Sequence, residues 1–277
     1  MAHLSNSYAT LADYKAYVVA RGQTASTDAT DDDVINDLLN AASRYIDLQS
    51  RRRFYPRIEE HLFDIPEGKE IYLDDDLLEV TTFSNGDDSV ITSYILRGRE
   101  TPYWCISLRD ISNVNWQTNS DGSSEQVISV LGVWGYHDLY TQRAWLQVDT
   151  ISAAITDTTT LAFTTTSNNT LVAGNIIKIG SEIMITHTAS GHNITAIKRG
   201  DNGSTAATHL INSPVYVWQP MEGAKMSALE IANSAYKKRF GQSIGESATV
   251  TAAGVVLAPK DIPSTAQAFI DSMAPLV

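Results

Sequence analysis

The sequence predicts an α+β fold. N-terminal helices and a late long helix pack with a short-stranded antiparallel sheet, with an inserted small all-β domain and an extended C-terminal arm. Three observations predict this. Apolar residues recur at helical spacing in residues 11–50 and again in 221–240. Between these stretches, short alternating runs are separated by turn residues. From about Ala153 the composition shifts to Thr, Asn and Gly with little charge. The domains that follow are 1–136 with 221–253 as the core, 137–220 as the inserted β module and 254–277 as the arm.

Thr10 is a good N-cap with Asp13 three residues on, and Leu11, Tyr14 and Val18 share a face before Gly22 stops the first helix. Thr30 is read as the cap of the second helix, with Asp31, Asp32 and Asp33 in its first turn, where the helix dipole favours anions. Its apolar face, Ile35, Leu38, Leu39, Ala42 and Ile46, runs to about Ser50 and ends at Arg51, Arg52 and Arg53. Strands are expected at 71–73, 77–83, 89–96, 104–108 and 126–134, with Ser84 to Asp88 as a hairpin turn. The inserted module is expected to place strands at 174–179, 182–187, 193–198 and 214–218. Ala224, Ala228, Ile231, Ala232 and Ala235 give the late helix a face of mostly small residues, suited to close packing. Residues 242–253 read as a link, Val255 to Leu257 as a pairing strand, and Pro263 opens a short helix to about Met273.

The 277-residue chain holds 32 acidic and 20 basic side chains, a net charge of −12. Residues 1–149 hold 24 acids and 12 bases, whereas residues 150–277 hold 8 of each. An acidic chain without a large basic patch is a poor grip on DNA, because phosphate neutralisation supplies most nucleic-acid affinity. Such a balance suits solubility, or a surface that DNA passes without sticking. There is no run of about 18 apolar residues, so no membrane span is expected, and the polar first eight residues give no secretory leader. The single cysteine, Cys105, sits in an alternating strand-like run and reads as a small buried hydrophobe.

Little in the sequence points to catalysis. The six histidines are scattered with no HxH or HExxH spacing, and no nucleophile elbow appears. Asp74-Asp75-Asp76 reads as a solvated turn, since consecutive residues point in different directions and chelate poorly as a set. Gly200-Asp201-Asn202-Gly203 lacks the lysine and following helix of a phosphate loop and reads as a tight turn. No cofactor, metal or catalytic residue is expected. Arg51-Arg52-Arg53 stays open between an interface with a neighbour, internal pairing at a helix end, and DNA. The apolar runs after residue 253 suit docking on a partner.

Residues 8–136 resemble the head–tail connector (adaptor) proteins of tailed bacteriophages. The matching pieces are Tyr8 to Tyr14, Ala41 to Asp47, Arg51 to Pro56, Tyr72 to Val80 and Val130 to Tyr136, in that order and spacing. The late helix and Leu257 to Pro263 fit the family's C-terminal part. Residues 137–218 depart from it, and 174–184 and 197–209 are similar to a small β module of phage structural proteins.

The resemblance implies a virion protein at the neck, assembled in the host cytoplasm into a homo-oligomeric, twelvefold ring. That ring would extend the DNA channel below the portal protein and meet the stopper or tail-completion protein, with DNA passing unbound. It implies a portal-docking arm formed by Val255, Val256, Leu257, Pro259, Ile262, Pro263, Phe269, Ile270 and Met273. It also implies a subunit or partner interface at Arg51, Arg52, Arg53, Phe54 and Tyr55. A host-surface or glycan-binding module is the alternative, and a cell-wall hydrolase is disfavoured because no carboxylate pair is located.

Overall fold

The computed structural model describes residues 3–110, 113–168, 170–240, 250–251, 254–255 and 262–274. The fold mixes helices with two antiparallel sheets. The chain forms two compact units, one of residues 1–54 and 145–277, the other of residues 55–144. These divisions fall at 54/55 and 144/145, whereas the sequence expectation placed them at 136/137 and 220/221. The three N-terminal and late helices and the six-stranded sheet fall in one unit.

In the larger unit, α1 (Leu11–Ala20) begins with the expected capping box. The Thr10 hydroxyl accepts from the Asp13 N–H at 3.1 Å while the Asp13 carboxylate accepts from the Thr10 N–H at 2.9 Å. Asp13 also pairs with Lys225 of α3 (Glu222–Phe240) at 2.6 Å. α2 (Ala29–Ser50) is capped by Asp28 and not by the expected Thr30. The Asp28 carboxylate accepts from the Thr30 N–H at 2.8 Å and adds its charge to the positive end of the helix. α2 packs on α3, and Leu38, Leu39, Ala42 and Ile46 of α2 and Ala228, Ile231 and Ala232 of α3 are buried. The helix ends where Arg51 enters the left-handed region at φ +54°.

The sheet of this unit runs β6-β11-β8-β9-β10-β7, with every neighbouring pair antiparallel. Its strands are β6 (Trp145–Thr150), β7 (Ala162–Thr164), β8 (Ile176–Ile179), β9 (Glu182–Ser190), β10 (Asn193–Ala196) and β11 (Pro214–Trp218). β6 and β7 were not anticipated, the second because it is three residues within a Thr-rich stretch. One core joins Ile151, Phe163, Ile177, Ile179, Met184, Ile194, Val215 and Val217. The N-terminal segment closes on this sheet. Asn6 and Asn202 exchange side-chain hydrogen bonds at 2.8 and 2.9 Å. The Leu4 side chain fills the space a Cβ would need at Gly174. Beyond α3, Val250–Thr251 (β12) pairs with Gly254–Val255 (β13), and α4 (Ser264–Met273) follows.

The smaller unit is a five-stranded antiparallel sheet in the order β1-β5-β2-β4-β3. Its strands are β1 (Arg57–Phe63), β2 (Glu70–Ser84), β3 (Tyr94–Arg97), β4 (Tyr103–Leu108) and β5 (Ile128–Trp134). β1 was not anticipated, because charges interrupt its apolar alternation. β2 is one strand passing through Asp74 to Asp76, not two strands flanking a solvated turn. A register shift between Tyr72 and Leu77 absorbs the three aspartates. Asp75 pairs with the buried Arg57, and Asp74 meets His61 at 2.9 Å. The core gathers Ile71, Phe83, Ile106, Ile128, Val130 and Trp134. The Trp134 indole donates to the Glu59 carbonyl at 2.9 Å and stacks on His61 with centroids 3.8 Å apart. Cys105 is fully buried, and burial raises its thiol above the ordinary value.

One buried carboxylate organises the loops of the larger unit's sheet. Glu182, at the start of β9, is 0% exposed. Its oxygens accept from Arg199 Nε at 2.7 Å and Nη2 at 2.8 Å, from the Gly200 and Ala207 N–H groups at 2.9 and 3.1 Å, and contact His209 Nε2 at 2.7 Å. Arg199 also donates to the Asp157 and Thr160 carbonyls, drawing a second loop in. Gly200 and Asn202, at φ +61° and +50°, give 200–203 the expected tight turn. Burial would raise the Glu182 pKa, but the donors from Arg199, Ala207, His209 and Gly200 outweigh it and bring it down from 4.5 to about 2. A depressed carboxylate stabilises the fold above its unfolded value and loses that contribution as pH falls towards the folded value. Chemical denaturation of the full chain should therefore show stability falling from about pH 4.5 towards pH 2. Glu182→Gln should cost about 3 kcal/mol at pH 7, because it leaves Arg199 buried without its charge partner, and should shrink the acid-dependent limb. An unchanged limb would show that Glu182 does not supply it.

Candidate functional site: the Phe54 corner and the C-terminal helix

Parts of the two segments singled out for assembly, Arg52 and Phe54 of 51–55 and the helix 264–273 of the C-terminal arm, meet in the larger unit. Phe54 lies where the chain leaves α2 and is fully buried. Its N–H donates to the Tyr8 hydroxyl at 2.9 Å, and its carbonyl accepts from the Trp218 indole at 3.1 Å. Its ring stands edge-on to Tyr8 at 5.6 Å and packs against Phe269 of α4 at 5.8 Å. The Tyr8 hydroxyl in turn donates to Asp47. Burial first, then the neighbouring Asp47 charge, raises the Tyr8 phenol well above its ordinary value, so it acts here as a neutral donor and acceptor.

α4 lies on α3 and α2. Ala266 and Ile270 are buried. Arg52 Nε donates to the Met273 carbonyl at 2.6 Å, one of the carbonyls a helix end leaves without an intrahelical partner. The Thr265 hydroxyl donates to Glu230 of α3. Gly223, in the first turn of α3, lets the Phe269 ring come close, since a Cβ there would sit 2.3 Å from it.

The proposed arm residues therefore divide. Phe269, Ile270 and Met273 belong to a helix seated on its own chain, with Ile262 and Pro263 half-buried just before it. Val255 lies in β13. Val256, Leu257 and Pro259 lie outside the described residues, as does most of the expected link at 242–253. The basic–aromatic residues divide too. Arg51 and Arg53 are exposed, Arg52 holds α4 and Phe54 is its floor, while Tyr55 opens the smaller unit.

Tyr8, Trp218 and Gly223 were not marked as site residues by sequence. Each had a local signal, a Tyr ahead of a helix cap, a Trp two residues before Pro220 and a Gly in a helix start, but nothing in the sequence says that they converge. A cleft of about 360 Å³ beside this corner is lined by Tyr8, Asp13, Trp218 and Lys225 among others. Asp13 and Lys225 neutralise each other there, leaving a surface for contact without a free charge. Among the described residues, no group of three or more His, Cys, Asp or Glu could hold a metal ion, and no helix is long and apolar enough to cross a membrane. What the corner shows is packed aromatics seating a helix of its own chain.

Truncation at residue 263 uncovers Phe54, so it should lower the melting temperature as well as affect any partner binding. Phe269→Ala should cost about 2 kcal/mol, less than for a fully buried ring. Gly223→Ala gives a sign test. A helix start with nothing above it would gain stability from alanine, by up to about 1 kcal/mol, whereas the Phe269 seat makes the change destabilising. A stabilised Gly223→Ala protein in thermal melts would mean that α4 is not seated there.

Comparison with family models, curated proteins and solved structures finds no match to this chain.

Proposed function

We propose that this chain is a head–tail adaptor of a tailed bacteriophage, a structural virion protein acting by binding and not by catalysis. In this reading, copies assembled in the host cytoplasm close into a ring, twelvefold, under the portal protein at the neck. The ring extends the DNA channel and presents its far side to the stopper or tail-completion protein. Residues 1–136 and 221–253 make the connector part, and 137–220 are a β module inserted into it.

One observation carries the reading. Parts of the two segments that the connector resemblance assigns to assembly, Arg52 and Phe54 of 51–55 and the helical end of the arm at Phe269 and Met273, share one packed corner. A protein whose work is to bind neighbours needs such a terminal element held in a defined place. The charge distribution agrees. The smaller unit holds 16 acidic and 6 basic residues, −10 of the net −12, and a surface of that sign does not retain DNA. With α4 seated at home, the reach towards the portal falls to the stretch before it, which includes Val256, Leu257 and Pro259.

The alternative, a glycan- or host-surface-binding module, draws on a cleft of about 330 Å³ lined by Ile155, Asp157, Thr160, Phe163, Thr164 and Asn193. Its hydroxyl and amide rim suits sugars, but no exposed aromatic ring lines it, which favours the adaptor reading.

The test is cryo-electron microscopy of the full chain mixed with the portal protein of its own phage. A closed ring seated on the portal is expected, and a chain that stays monomeric and ignores the portal ends the proposal. Val256→Asp with Leu257→Asp should weaken portal attachment in pull-downs. Full attachment by that variant would remove the arm from the interface.

A further inference from the structure

The smaller unit displays two aromatic side chains that its core does not use. Tyr72 of β2 is 65% exposed and Trp104 of β4 is 55% exposed, and their rings stack with centroids 5.9 Å apart and planes 26° from parallel. The Tyr72 hydroxyl donates to Glu70 at 3.1 Å, which fixes the outer ring of the pair. The other tryptophans are half-buried or buried, so Trp104 is the one indole standing in solvent. It does so on the unit that concentrates the chain's negative charge.

The larger unit displays a complementary feature. Leu48 of α2 is 73% exposed. Arg51, three residues on, is the left-handed C-cap that ends the same helix. It is exposed and pairs with no carboxylate among the described residues. One helix end thus exposes both an apolar and a cationic side chain.

We propose that the Tyr72–Trp104 pair receives the Leu48–Arg51 helix end of a second copy of this chain. The chemistry favours that occupant. A guanidinium lies on an indole or phenol face with a cation–π attraction of about 1 kcal/mol, more as water leaves. Leucine covers the remaining apolar ring area. The carboxylates of a unit at −10 attract an arginine and repel an acidic or phosphate-bearing partner. Trp, Tyr and Arg are also the residues in which binding energy concentrates. The two patches differ, so the contact is heterologous: each copy offers one patch to the neighbour on one side and the other patch to the opposite neighbour. Repetition of such a contact closes into a ring when the rotation allows. The contact rests on the adaptor reading only for that closure. It names the residues through which the copies meet.

The experiment places a photo-reactive benzoylphenylalanine at position 104 of the full chain, mixes isotopically labelled and unlabelled copies, and maps cross-links with and without portal protein. A cross-link between copies to the tryptic peptide 45–51 is expected. Sedimentation should show Trp104→Ala and Leu48→Ala each weakening self-association about tenfold or more, with the double variant little worse than either single, as two partners of one contact behave. Both side chains are exposed, so the variants should melt like the wild type. Trp104→Phe, which keeps a ring, should retain most of the association. A ring on the portal whose position 104 links elsewhere, or that is indifferent to Trp104→Ala and Leu48→Ala, overturns this contact and leaves the adaptor reading standing. A chain monomeric with and without portal overturns both.

Discussion

The larger unit depends on what happens at Phe54. A helix of 22 residues ends there, and the chain must leave it without stranding backbone groups in the interior. The N–H goes to a tyrosine hydroxyl, the carbonyl to a tryptophan indole, and the ring is held between Tyr8 and Phe269. Those partners come from the N-terminal segment, the last strand of the six-stranded sheet and the C-terminal helix. Four parts of the chain distant in sequence are thus fixed by one residue. Each hydrogen bond contributes about 1 kcal/mol net, but leaving either backbone group buried and unpaired would cost more than that. The corner is therefore formed with all its partners or not at all.

Glu182 solves the same problem differently. The loops at 157–160 and 199–209 have few apolar side chains to hold them, and a carboxylate shielded from water binds them through Arg199, His209 and two backbone N–H groups. A charge so buried is tolerable only with its donors complete. This explains why a single acid stands in the otherwise apolar run Ile183-Met184-Ile185, and why an Arg-Gly pair and a histidine follow at fixed places. The apolar core beneath could pack without it, but the loops would have nothing to agree on.

What the sequence made legible was local conformation. Thr10 with Asp13 announced a capping box, the stripe from Ile35 to Ile46 a helix, and Gly180 and Gly191 the turns between strands, because each depends on neighbours three or four residues away at most. The mixed α and β composition followed from these. Asp28 was passed over in favour of Thr30 because both types cap helices, and only the geometry decides between them. The strand Arg57–Phe63 was hidden because a buried arginine and a histidine stacked on Trp134 occupy positions where alternation would place apolar residues. The Phe54 corner was legible only in fragments. Its residue types were noticed at 51–55 and 269–273, but their meeting is a long-range event on which no spacing reports.

That meeting bears on how one helix end could serve two purposes. A terminal helix that docks on its own chain and a ring that needs neighbouring copies would compete if both used the same face of α2. They do not. Arg52 and Phe54 turn inward and hold α4, while Leu48 and Arg51 stand exposed. The left-handed turn at Arg51 makes the separation possible. It ends the helix at an exposed residue and lets Arg52 and Phe54, but not Arg53, turn towards α4. A cap that is costly for arginine by about 1 kcal/mol has a use here: it leaves a charge exposed while Phe54, three residues on, is buried. In the proposed ring, an outward face left open in this way would let copies associate without disturbing the corner that holds each one together.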